Sequence, residues 1–284
     1  MKRVELKHIP LRVYFWDRFI PWVPRLFLAS FLVQYFAVTL DLWMGQRLFG
    51  QARWTDGLLV VLATGALLAS CARTLPAQNV IFAATLVATL GSAIHTLGTV
   101  TGVPFGPIRF TDRIGQVLFH PLPWAIPLLW IILIFSSRGV ARLIMRRRRG
   151  TKTYGFWVMG ITTALVLALV AGLEPFATRV EAFWLWQPSR ARLTWYDAPW
   201  VNFLGWTVST LVILAFVTPL LINKRPGKSA PPDYPPLAVW LLIQLLFLNG
   251  ALVKKLWPAV AVASLTSLLV IALVLLAVRK TAET

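Results

Sequence analysis

Long apolar runs, broken by short basic or glycine- and proline-rich stretches, dominate this chain and leave it few folds. A helix crossing a bilayer needs about 20 mostly apolar residues, and in lipid a spanning segment has to satisfy its own backbone hydrogen bonds. Runs of that length occupy residues 24–44, 57–73, 78–97, 119–138, 154–174, 199–222, 236–253 and 257–277. The second is short, and the last two are parted only by a few residues around "KKLWP". The expectation is an all-α, polytopic membrane helix bundle of about eight transmembrane helices, or seven, in a single membrane domain over residues 1–284. Only 13% of the residues are charged and the mean hydropathy is +0.71, whereas ordinary soluble domains are roughly a quarter charged.

The net charge of +18 raises nucleic acid as a partner. The basic residues, however, sit in short clusters between apolar runs, the densest being "RRRRG" at 146–150. Lipid headgroups and membrane topology account for that placement, so no nucleic acid is expected. With eight spans and the N-terminus inside, 19 of the 28 Lys and Arg residues fall on the inner side and nine on the outer. This bias matches the positive-inside rule. It predicts a cytoplasmic-membrane protein with both termini in the cytoplasm. Residues 1–23 mix basic and aromatic side chains as a segment at the membrane interface does, and lack the order of a cleaved signal. One cysteine, Cys71, permits no intrachain disulfide, and His8, His95 and His120 show no ligand-like spacing. No nucleotide-binding glycine loop is present, so neither metal nor cofactor is expected.

Two loops depart from this plain pattern, and the topology puts both on the outer face. The first, "IHTLGTVTGVPFGPIRFTDRIG" at 94–115, carries His95, Arg109, Asp112 and Arg113 among Gly98, Gly102, Gly106, Pro104 and Pro107. Irregular backbone at membrane depth is tolerated where it is buried in protein or lines a cavity. The stretch is therefore either a pocket-shaping segment or an ordinary loop between helices. His95, with Ser92 and Thr99 one turn to either side, is either a hydrogen-bonded structural residue or a functional one, since ionisable groups inside spans tend to mark function.

The second loop, 173–206, gathers Glu174, Glu181 and Asp197 among Phe176, Phe183, Trp184, Trp186, Trp195, Tyr196, Trp200 and Trp206. Glu174 and Glu181 share a face if a helix continues past Pro175, in the first-turn position that proline favours. Asp197 reads as the N-cap of the sixth span. An aromatic belt at the interface explains several of the tryptophans, but a belt does not call for acids. A carboxyl group among aromatic walls is costly to ionise and can serve as a general acid, and aromatic faces stabilise a nearby cation. That pairing suits protonation of an alkene and capture of the carbocation.

"GTVTGVPFG" at 98–106, followed by "EPFATRVEAFWLW" and then "YDAPWVNFLGW" at 196–206, resembles the carotenoid hydratase family of multi-pass membrane proteins of carotenoid biosynthesis. The matching positions are Gly98, Thr99, Thr101, Gly102, Pro104, Phe105 and Gly106, then Pro175, Trp184 and Trp186, then Pro199, Asn202, Phe203, Gly205 and Trp206, within a family-like core over 80–220. The chain departs from the family at three acids: His95 replaces a Glu, Glu174 an Asp, and Val170 a further Asp. The resemblance implies water addition across the terminal double bond of an acyclic carotenoid, with Glu174 as proton donor and His95 as partner, base or water-positioner. Tyr196 and Asp197 complete the expected catalytic group. Thr99, Thr101, Gly102, Phe105, Glu181, Trp184, Trp186, Asn202 and Trp206 form the expected substrate-binding set. The implied partners are a polyene lipid substrate, membrane lipids and other carotenoid-pathway enzymes. Two alternatives keep the same loops: a cyclase that starts from the same protonation, and a lipid or isoprenoid transporter. Against the transporter, the halves show no internal repeat.

Overall fold

The computed structural model describes residues 22–45, 54–119, 121–187, 193–222 and 232–279. The interfacial segment expected over 1–23 lies almost wholly outside the described residues, as do His8 and His120. Among the described residues are eight helices: α1 (Val23–Met44), α2 (Trp54–Ala72), α3 (Ala77–Thr101), α4 (Ala125–Ile144), α5 (Tyr154–Pro175), α6 (Trp200–Val217), α7 (Pro235–Val253) and α8 (Trp257–Arg279). Seven of them, all but α2, are long and apolar enough to cross a membrane. The chain is a multi-pass membrane protein built as a helix bundle.

α2 nevertheless passes from one end of the bundle to the other. Gly57, near its start, lies against the Trp124 ring. Near its end, the Ser70 hydroxyl donates to Asp233 just before α7 (2.6 Å). Its 19 residues rise about 28 Å at 1.5 Å each, which matches the hydrocarbon thickness.

α4 lies at the centre of the bundle, against α2, α3, α5, α7 and α8. Ile126, Trp130, Leu133, Ile134 and Ser137 along it are fully buried or nearly so. The outer helices expose large apolar side chains instead, among them Phe36, Phe216, Leu265 and Leu269. Lipid is as apolar as these residues, so the helices need no polar outer face.

The fourth span begins later than its hydropathy indicates. Before it lies a small antiparallel pair between β2 (Val117–Phe119) and β3 (Leu122–Pro123). Pro121 and Pro123 disfavour helical backbone in the residues before them, so the helix waits until Ala125 and runs on to Ile144. Arg138 and Arg142 thus sit inside α4 rather than beyond it.

Two further ladders lie in the loops: β1 (Ile108–Phe110) pairs with β4 (Trp184–Trp186), and β5 (Thr194–Trp195) with β6 (Ala198–Pro199).

Candidate active site

The two unusual loops are joined backbone to backbone. Ile108 pairs with Trp186, Arg109 with Leu185 and Phe110 with Trp184. The Thr111 amide donates to the Phe183 carbonyl (2.9 Å), its hydroxyl to Ala182 O (2.6 Å), and the Gln187 amide to Pro107 O (3.0 Å). α3 ends at Gly102, whose φ of +74° suits glycine and whose N–H closes the helix on Gly98 O. The chain then returns so that Pro104 and Phe105 press on Gly205 of α6, where a Cβ would stand 2.8 Å from the Pro104 oxygen. The glycine-rich turn and the "NFLGW" segment therefore touch directly.

Glu174 sits at the end of α5 and is 1% exposed. Its Oε2 accepts from the indole N–H groups of Trp184 (3.2 Å) and Trp186 (3.1 Å), and its Oε1 from the Asn202 amide (2.6 Å). Trp206 also lies near the carboxyl. Strand β4 explains the first pair: residues 184 and 186 project from the same side of an extended chain. Asn202 comes from the first turn of α6.

Pro175 occupies the last position of α5, not the first turn expected from sequence. Lacking an N–H, it leaves the Ala171 carbonyl without its helical donor. The Trp195 indole supplies one at 2.9 Å. Beyond Pro175 the helix widens into a π turn over Phe176–Val180, and Glu181 emerges with neighbours different from those of Glu174.

His95 is buried in α3 in a cage of rings. Its ring centroid lies 4.5 Å from Phe105, 5.2 Å from Trp206, 5.6 Å from Trp130 and 6.4 Å from Phe110. Trp130 Nε1 donates to His95 Nδ1 (3.1 Å). An indole N–H only donates, so that hydrogen bond assigns a neutral imidazole with its proton on Nε2. Trp206 neighbours both His95 and Glu174.

The remaining candidates divide. Phe105 is buried against His95 and Trp206. Thr99 and Thr101 donate back to His95 O and Leu97 O one turn earlier, and Thr101 is exposed. Tyr196 and Asp197 are not among the hydrogen-bond partners of Glu174. They are the two central residues of a tight hairpin, at φ of +50° and +71°, between the paired residues Trp195 and Ala198, as primed turns require. The Tyr196 hydroxyl accepts from the Ala259 amide at the start of α8 (3.3 Å), and Asp197 pairs with Arg179 at a solvent-accessible position. The N-cap of α6 is Pro199; the hairpin turns Asp197 away from the capping role its spacing indicates.

Beside the carboxyl lies an apolar cavity of about 350 Å³ between α1, α2, α4, α5 and α7. Its walls include Leu59, Ala63, Ile132, Leu246 and Phe247, and its polar groups are Asp56, Arg113, Gln116 and Glu181. Glu174 is not in the lining. Its flanking residues Leu173 and Phe176 are, together with the indole of Trp184 that donates to it. Trp184 thus forms the partition between cavity and carboxyl. Among the described residues no three of His, Cys, Asp or Glu gather as metal ligands would.

Sequence reasoning passed over Trp130, which holds His95, and Phe110, which stacks on it at 28°. A usable signal existed for Trp130. Ile126, Trp130, Leu133 and Ser137 recur at helical spacing, and a buried indole needs an acceptor.

Comparison with known proteins places these features in a family. The chain is 26% identical over 124 residues to bisanhydrobacterioruberin hydratase of Haloarcula japonica, an alignment covering 43% of this chain and 40% of that protein. The chain thus spans well under half the length of that relative. No solved structure matches. The family model described as "Carotenoid biosynthesis protein" matches residues 55–272, a stretch that holds both loops, the Glu174 hub and the cavity, and the chain belongs to that family.

Proposed function

We propose that the protein is a membrane hydratase that adds water across the terminal C=C of an acyclic carotenoid. The observation that carries the proposal is Glu174, a buried carboxyl gripped by N–H donors from Trp184, Trp186 and Asn202 behind the wall of an apolar cavity. The cavity volume falls in the range of about 300–1,000 Å³ usual for ligand sites. The hydratase named among the relatives supports the same chemistry.

In this proposal the end group passes the Trp184 partition to reach Glu174, and the protonated carboxyl gives its hydrogen to C2, leaving a tertiary cation at C1. The indole and amide N–H groups already aimed at both oxygens stabilise the carboxylate that develops as the proton leaves. The faces of Trp184, Trp186 and Trp206 stabilise the cation. Water adds to C1, and the oxonium proton returns to Glu174, so the sum is the addition of one water with no cofactor. His95, through the ring cage, positions Trp206. Asp56, Arg113, Gln116 and Glu181 mark the side from which water enters. The charge bias sets this end of the bundle away from the cytoplasm, in the cytoplasmic membrane, with both termini inside.

Expression in a host that accumulates an acyclic carotenoid tests the assignment by pigment mass. Products heavier by one or two waters are expected. A product isomeric with the substrate assigns ring closure instead, and unchanged pigment beside folded, inserted protein overturns the proposal.

A further inference from the structure

We propose that an arginine-lined cavity at the opposite end of the bundle binds a phosphate group carried on a hydrocarbon tail. The cavity holds about 310 Å³ between the end of α4, the start of α5 and the end of α6. Arg138, Arg142 and Arg149 line it, with the hydroxyl-bearing Thr151 and Tyr154. Val158, Met159 and Leu214 continue it as an apolar slot.

Arg138 is the unusual member. It lies inside a membrane-spanning helix at 8% exposure. A guanidinium has five N–H donors and no acceptor, yet among the described residues it donates to a single carbonyl, Leu221 O at 2.8 Å. Burying such a charge is costly unless it is paired. No acid stands among the residues lining the cavity, and what stands beside Arg138 is a like charge, Arg142. Asp233, the nearby acid, takes the Ser70 hydroxyl and faces Arg73 and Arg142.

The backbone adds the same sign. The first turn of α5 meets the cavity at Tyr154 and Gly155, and no side chain caps that terminus. The positive end of a 22-residue helix favours an anion. Three arginines line one recess, and guanidinium groups match the several oxygens of a phosphate, which arginine grips bidentately. The apolar slot beneath them takes an alkyl or prenyl chain and rules out none of the lipid phosphates by shape alone.

The test uses the purified full chain in neutral detergent, with thermal unfolding and native mass spectrometry as readouts. Phosphatidylglycerol, diacylglycerol and inorganic phosphate are added separately. Phosphatidylglycerol is expected to bind and raise the unfolding midpoint, and diacylglycerol is not. Protection by inorganic phosphate at equal strength supports the phosphate site and assigns its occupant as a free anion. Arg142→Gln and Arg149→Gln should each weaken binding about tenfold or more. Arg149 is exposed, so that variant keeps the test decisive if Arg142→Gln disturbs the fold. Equal protection by diacylglycerol, no protection by either phosphate, or undiminished binding in Arg149→Gln overturns the proposal.

Discussion

At Glu174 both carboxyl oxygens are occupied by donors: two indoles on one, an amide on the other. A glutamine there has one acceptor oxygen, so its NH₂ must face either the Trp pair or Asn202, donor against donor. Glu174→Gln should cut hydration by at least about a hundredfold, the scale of a lost general acid, in protein that still inserts. Product per unit of folded protein measures it, and retained activity removes Glu174 from the acid role. Trp186→Phe keeps an aromatic face, smaller than the indole, and removes one donor, and should cost about tenfold. Tyr196→Phe supplies the contrast. Its hydroxyl serves the start of α8, so the variant should unfold about 0.5–1.5 kcal/mol more easily and still make product. Lost product in a stably folded Tyr196→Phe protein would return that hydroxyl to the chemistry. Glu174 was legible because a lone acid in an apolar run is too expensive to be incidental. The turning-away of Tyr196 and Asp197 was not, since positive φ at two successive residues other than glycine is decided by the pairing of Trp195 with Ala198.

At the scale of elements, the candidate site depends on a helix that ends irregularly. Pro175 removes the donor to Ala171, and Trp195 replaces it from the hairpin loop. Trp195→Phe should leave that half-buried carbonyl without its donor at a cost of about 1 kcal/mol. The end of α5 should loosen, so product yield should fall together with the unfolding midpoint. Unchanged stability and yield would mean that the widened turn holds without the indole. The convergence of the two loops was legible in topology, because odd-numbered spans of an inside-first bundle end on one face. Its means was not. Two three-residue strands are too short to carry an alternating pattern, and the start of α4 was displaced by prolines in a stretch as greasy as a helix. Hydropathy measures lipid solubility and says little about backbone path.

On the scale of the whole molecule, the described tryptophans include two populations that composition alone merges. Trp22, Trp157, Trp200 and Trp257 are exposed at helix ends, as interfacial anchors are, while Trp130, Trp184, Trp206 and Trp240 are buried. Charge divides as well. Glu174, Glu181 and Asp197 lie with the paired loops, and Tyr196 ties the α7–α8 turn to that same end. Arg146 to Arg149 lie at the other, where Arg147 reaches Ala277 at the end of α8 (3.3 Å). The geometry is the same whichever end faces the cytoplasm; the charge bias chooses between them. In a Cys71→Ser background, Gly150→Cys and Lys254→Cys place single thiols at exposed sites of opposite ends, and nothing lies within 4 Å of a Cβ at Gly150. An impermeant thiol reagent applied to intact cells should label position 254 and spare 150. The reverse pattern would put the acid-bearing end in the cytoplasm. It would make this chain an exception to a rule that 19 of its 28 basic residues otherwise obey.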